Sequence, residues 1–198
     1  MVVRQQLLCA CQEARVNVAI IAGGSERVWS DLSNAGDFCR DHGLTPTYYA
    51  ANDMIEQYHE PCVAVTLHPD KLYVWLKQRA NAGRPAVEQV WSHTGGDSRS
   101  RPNPHVTHRL KDWGGSVGMF GYQVARERGH DHVILCGVPM TTDNHFVRKA
   151  RWSAQPAFAR AWENHKAEMS PYVRSMSGGW TEELFGLPTQ DWIKGESQ

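Results

Sequence analysis

The chain has 198 residues, enough for one domain with a sizeable buried core. Its 21 basic and 21 acidic residues cancel, so no global field draws it to nucleic acid. Its longest apolar runs are strand-length, far short of the roughly 20 residues that cross a bilayer, and no secretory h-region with a cleavage site is visible. The sequence therefore reads as a cytoplasmic single domain over 1–198 with no membrane partner. The cysteines Cys9, Cys11, Cys39, Cys62 and Cys136 are odd in number and scattered, which fits reduced thiols; they lack zinc spacing, and no metal is expected.

Residues 1–14 have Leu7, Leu8 and Cys11 at helical spacing and predict a short helix. The apolar run 17–22 predicts a buried strand that enters the turn Gly23-Gly24-Ser25. Ser30 or Asp31 can cap a helix to about Arg40, which His42-Gly43 stops. A strand over 45–50, rich in aromatic and β-branched residues, ends at Asn52-Asp53. After a helical turn, the strand 62–67 runs into His68-Pro69-Asp70, where Asp70 can cap a helix over 71–82. A strand over 86–91 leads to His93.

Residues 94–113 form the longest stretch without apolar periodicity and predict a lid or binding loop. Gly114-Gly115-Ser116-Val117-Gly118 then opens a helix to Gly129, followed by the strand 132–137 with Gly137 at its end and the polar segment Pro139 to His145. A helix over 156–169, a strand over 172–176, the turn Ser177-Gly178-Gly179 and a short closing helix with a tail over 186–198 complete the chain.

Strands alternating with helices of ten or more residues predict an α/β domain, Rossmann-like, with a mainly parallel sheet in three α/β/α layers. Ligands of such sheets bind beyond the carboxyl ends of the strands, where strand order reverses. That rim collects Gly23, Gly24, Ser25, Asn52, Asp53, His68, His93, the 139–145 segment and Ser177-Gly178. Small residues at a helix entry expose N–H groups at the positive end of the dipole, a seat for phosphate or carboxylate. Gly114, Gly115 and Ser116 offer one such seat, and Gly23-Gly24-Ser25 a second. Neither matches a P-loop or a dinucleotide fingerprint.

Other constellations compete. Gly114-Gly115-Ser116-Val117-Gly118 also satisfies G-x-S-x-G, and Asp143 with His145 or His165 would complete a hydrolase triad around Ser116. However, no apolar strand precedes it. His105 and His108 form an H-x-x-H pair near Asp97 and Asp112, in a loop that gives them no fixed geometry. Arg99, Arg101, His105, His108, Arg109 and Lys111, flanked by Trp91 and Trp113, make a local basic patch for which nucleic acid is a possible but not favoured partner. His145, beside Asp143 and just past a strand end, is the candidate general base. Trp152, Trp162, Trp180 and Trp192 fit core or subunit packing, which leaves a homo-oligomer open.

Three stretches carry a distant family resemblance: 19–25 with its Gly-Ser turn, the strand ending at Asn52, and Gly115-Ser116 through the helix to Gly129 and the strand 133–138. Their order resembles the sialyltransferase-like and hydroxymethylpterin pyrophosphokinase-like Rossmann proteins over about residues 17–145. The family's first-turn Asn is glycine here, and Pro139 stands where its Asp follows the glycine-bearing strand. The resemblance implies a nucleotide or nucleotide-sugar ligand and a glycosyltransferase-like activity. Gly23, Gly24, Ser25, Gly115 and Ser116 would hold the phosphates and Asn52 would contact ribose or base; His68, Gly114 and Gly137 are further candidates for the ligand site, and His145 with Asp143 for the chemistry. A small α/β protein of this kind would not be out of place in a phage genome. The alternatives are a non-catalytic nucleotide-binding or protein-interaction module and the Ser116 hydrolase.

Overall fold

The computed structural model describes residues 16–94, 103–114, 116–142, 144–147 and 155–195. The expected N-terminal helix over 1–14, residues 95–102 of the lid segment, Gly115, Asp143 and Trp152 lie outside these residues. The strands are β1 Val18–Ala22, β2 Thr47–Ala51, β3 Val63–Thr66, β4 Val90–His93, β5 His108–Leu110, β6 His132–Cys136 and β7 Val173–Ser175. The helices are α1 Val28–Asp41, α2 Met54–Gln57, α3 Leu72–Asn81, α4 Val117–Glu127, α5 Gln155–Met169, α6 Gly179–Phe185 and α7 Gln190–Ile193.

The seven strands form one sheet in the order β5-β4-β3-β2-β1-β6-β7, and every neighbouring pair is parallel. All five residues of β1 and of β6 are buried, as expected for strands covered on both faces. Ala19 and Ile21 point into one core with Met119 and Phe120 of α4, Trp162 of α5 and Phe185 of α6. Val18, Ile20 and Ala22 point into the other, with Leu32 of α1, Met54 of α2, Trp75 of α3 and Trp192 of α7. Two cores on opposite faces of one sheet make a three-layer, Rossmann-like α/β fold. No helix among the described residues is long and apolar enough to cross a membrane.

Several local expectations need correction. The lid segment contributes β5, a three-residue edge strand that the polar sequence His-Arg-Leu disguises. Asp70 caps no helix: Pro69–Lys71 is a 3-10 turn, and Lys71 occupies the cap position of α3 without a side-chain bond. Part of the segment read as a tail is docked, since Trp192 of α7 is 1 % exposed and donates its indole N–H to the Pro171 carbonyl at 3.0 Å. Arg79 on α3 is equally buried; its guanidinium donates to the carbonyls of Ile55, Tyr58 and Glu60, fastening α3 to the segment between β2 and β3, and to the Pro85 carbonyl in the turn that follows α3.

His130 and His132, on either side of Asp131, are buried, and the Nδ1 atom of each lacks a partner among the described residues. Burial lowers both imidazoles below their usual value of 6.5. Arg128 adds to this at His130, as do Arg174 and Arg126 at His132, while Asp131 opposes it at both and the Ile193 backbone opposes it at His132. Tyr49 packs edge-on against His130 and Trp192 against His132. The unfolded chain thus takes up protons that the folded chain resists, so stability is full above the unfolded value and is lost as pH falls through it. Urea unfolding should show a lower midpoint at pH 5 than at pH 7.5, with a smaller difference in the His130→Gln/His132→Gln double variant. An undiminished difference would exclude these histidines as its source.

Candidate functional site

The chain runs from β1 outward to β5 and returns to place β6 on the other side of β1, so strand order reverses between β1 and β6. Ala22 pairs with Cys136 at the carboxyl end of this seam. Beyond it, Gly23 N–H donates to the Cys136 carbonyl at 2.7 Å and Ser25 N–H to the Gly137 carbonyl at 3.1 Å. The two turns touch so closely that a Cβ on Gly23 would stand 2.5 Å from the Gly137 carbonyl oxygen. Gly137 has φ +68°, and a Cβ there would meet Val28 at 2.7 Å. Two N–H groups expected to seat phosphate are therefore spent within the seam.

Asp31 does not cap α1. It sits inside the first turn, 1 % exposed, and its Oδ2 accepts the Gly137 N–H at 2.9 Å. Burial raises its carboxyl above the usual range, with Glu182 pushing the same way, while the Gly137 N–H and Arg27 pull it down. Its Oδ1 has no partner among the described residues. This buried carboxyl fixes the β6 turn from below.

Above the seam lies a cavity of about 370 Å³. Gly23, Gly24, Ser25, Asn52, His68, Ser116, Gly137 and His145 all line it, so the structure brings together most of the residues singled out from the sequence. Asn52 has φ +51°, the left-handed conformation that Asn tolerates better than most residues. Thr66 at the end of β3 donates to Asn52 Oδ1 at 2.8 Å and accepts the His68 N–H at 2.8 Å. With its oxygen engaged, Asn52 keeps its amide NH2 as a donor for the cavity. Leu67, Val117, Val138, Met140 and Phe158 supply apolar walls. Met140 is itself held at φ +55°, a costly conformation for a non-glycine residue that signals constraint at the rim.

Ser116 is the cap residue of α4, 5 % exposed, and makes no side-chain capping bond. The first-turn N–H groups of α4 have no carbonyl partner within the helix and lie at the positive end of its dipole. Ser116, Val117 and Gly118 present this end to the cavity. A Cβ on Gly118 would stand 2.6 Å from Val138, and one on Gly121 would stand 2.8 Å from Ile21. Glycine at both positions lets α4 settle directly onto β1 and the β6 turn.

His145 arrives from the loop after β6, which folds back over the first turn. Glu26 N–H donates to Asn144 O at 3.2 Å and Phe146 N–H to Gly24 O at 2.9 Å, with a bridge between Ser25 and His145. The imidazole lies on bare backbone, since a Cβ on Gly24 would be 2.4 Å from its Nε2. Nε2 is 3.3 Å from Asp53 Oδ2, and Trp75 donates its indole N–H to Asp53 Oδ1 at 3.0 Å. Val147 N–H donates to Nδ1 at 3.2 Å, which assigns the ring proton to Nε2, facing the carboxylate. The partner seen for His145 is thus Asp53, on a different crossover; Asp143, the expected one, lies outside the described residues. No periodicity marks Asp53 or Trp75. Asp53 was visible only as a neighbour of Asn52 on the rim.

Other candidates fall elsewhere. Gly114 does not line the cavity; a Cβ there would meet Ala161 of α5 at 2.8 Å, so its smallness serves packing. Ser177 Oγ accepts the Val138 N–H and donates to the Leu135 carbonyl, a structural role. Ser116 has φ −89° and ψ 122°, ordinary extended backbone rather than the strained turn of a nucleophile elbow. His165 stacks on Trp113 and lies 3.5 Å from Glu168. His105 sits beside Tyr73 and His108 stacks on Trp91, and no metal-binding cluster occurs among the described residues. Within the basic patch Arg109 donates to the His93 carbonyl, while Arg99 and Arg101 lie outside the described residues. No protein-family model, curated protein or solved structure matches the chain.

The two glycines of the first turn should respond differently to substitution. Gly23→Ala collides with backbone and should cost about 1–3 kcal/mol, the usual penalty of forced overpacking. Gly24→Ala meets a loop side chain; it should leave the melting temperature nearly unchanged while displacing His145 from Asp53. The His145 tautomer and ring shifts by NMR check the second outcome, thermal unfolding the first.

Proposed function

We propose that the rim cavity binds a nucleotide, in full a nucleotide-sugar, and that the protein transfers the attached group to an acceptor hydroxyl. The observation that carries this reading is the convergence, at the switch point of a parallel sheet, of the α4 N-terminus, the Asn52 amide and the His145–Asp53 pair on one cavity. Ser116 and the first-turn N–H groups of α4 hold the phosphates in place of the first turn, where the Gly23 and Ser25 N–H groups are bonded within the seam. Asn52 and His68 meet the nucleoside, and apolar walls exclude water and strengthen these contacts.

In the transfer step the acceptor oxygen bonds to the anomeric carbon, and the bond from that carbon to the phosphate oxygen breaks. The electron pair leaves on the phosphate, and the hydroxyl proton passes to His145 Nδ1. The Asp53 carboxylate holds the opposite N–H and stabilises the imidazolium that forms. For this the acceptor hydroxyl displaces the 3.2 Å bond from Val147. That same bond favours a second reading, a non-catalytic nucleotide-binding module in which Nδ1 stays occupied.

Thermal shift over nucleoside mono- and diphosphates and nucleotide-sugars tests the reading. A ligand at a hundred times its dissociation constant should stabilise the protein by about 2.7 kcal/mol, and the absence of any stabilisation would refute it. With the best ligand, His145→Ala should keep affinity within a few-fold and lower turnover by roughly 10²–10⁴. Ser116→Ala should weaken binding and retain turnover. Loss of turnover at both positions with a covalent phosphonate adduct on Ser116 would establish the hydrolase instead, and binding without turnover the module.

A further inference from the structure

The rim continues beyond the cavity as a row of rings. His145 stacks on Phe146, with centroids 5.4 Å apart and planes at 17°. Phe146 meets Trp29 of α1 edge-on at 6.3 Å and 86°, and Trp29 stacks on His59 at 5.4 Å and 20°. Three separate segments supply these rings. Trp29 is 39 % exposed, whereas Trp75, Trp91, Trp162 and Trp192 are buried. A solitary exposed aromatic is ordinary; a row that starts at a cavity-lining histidine and ends in solvent has a direction.

We infer that this row is the acceptor subsite and that its occupant is a saccharide ring. The inference rests on reading the adjoining cavity as a nucleotide-sugar transferase site. A pyranose has an apolar C–H face that packs on an indole, and hydroxyls around its edge that carboxylates accept. The Asp53 carboxylate lies at His145, the inner end of the row. Donor phosphate at the α4 N-terminus and acceptor on the rings are then held on separate surfaces, and His145 belongs to both the row and the cavity.

Saturation-transfer NMR with the methyl β-glycosides of glucose, galactose and N-acetylglucosamine, each alone and with the best nucleotide, tests this. At least one glycoside should receive saturation on its ring C–H protons. Trp29→Ala, an exposed position whose loss leaves both cores intact, should weaken that signal roughly two- to tenfold, the worth of one aromatic contact. Trp29→Phe should restore most of it. Nucleotide stabilisation should be equal in wild type and Trp29→Ala. No transfer to any glycoside, or transfer indifferent to Trp29→Ala, would overturn the subsite. A folded Trp29→Ala protein that loses nucleotide stabilisation would also overturn it, because the row would then carry the base. If no nucleotide stabilises the wild type, the donor reading fails alone, since the glycoside experiment without nucleotide still decides whether the row binds sugar.

Discussion

The contact between the Gly23 and Gly137 turns is the constraint on which the rest of the site depends. Two parallel strands leave the sheet side by side, and their turns approach to a distance that excludes any side chain. The buried Asp31 carboxyl holds one turn, and the seam hydrogen bonds hold the other. Because the turns lie low, space remains above them for a cavity, and α4 can approach on its own glycines. The loop after β6 can then fold back so that His145 rests on Gly24. A side chain at the seam would lift the floor, tilt the helix and remove the shelf for the imidazole together.

The cavity combines an apolar enclosure with few, fixed polar groups. Each polar group is held by a neighbour: Thr66 and Trp75, which do not line the cavity, hold Asn52 and Asp53, and Asp53 in turn holds His145. Orientation of this kind costs nothing at the moment of binding, because the rotamers were fixed on folding. The Asp31 carboxyl shows what folding sacrifices for it, with one oxygen buried and unpartnered among the described residues so that a single backbone N–H stays in place.

The sheet was legible in the sequence because strands covered on both faces read as continuous apolar runs, as 18–22, 62–65 and 133–136 do. The rim followed from a topological rule, which gathers Gly23, Gly24, Ser25, Asn52, His68 and His145, while Ser116 follows from its place at a helix entry; all of them line one cavity. The edge strand β5 escaped because an edge needs little apolar surface, and His108-Arg109-Leu110 carries little. Asp31, Thr66 and Trp75 escaped for another reason. Each acts by a single side-chain contact to a residue on another element, and such contacts leave no spacing to read. Asp31 was even assigned the wrong task, since an acidic residue near a helix start suggests a cap whether or not a buried N–H lies beneath it. A glycine in the sequence signals a need for freedom from side chains without saying what needs the space; at Gly23 it is the opposite turn, and at Gly24 it is the His145 ring.

The seam also dictates when the site can exist during synthesis and folding. Every strand pair is parallel, so none closes as a local hairpin. The β1–β6 pair, which joins Ala22 to Cys136, spans most of the chain, and pairings of that separation pay their loop-closure entropy before any contact rewards it. The wing from β1 to β5 can assemble as the chain emerges, but Gly23 and Ser25 have no carbonyls to meet until β6 docks. Until then β1 presents one bare edge in the middle of the future sheet. A growing chain therefore carries an open, adhesive strand through most of its synthesis and acquires the cavity, the imidazole on Gly24 and a closed sheet centre in one late event.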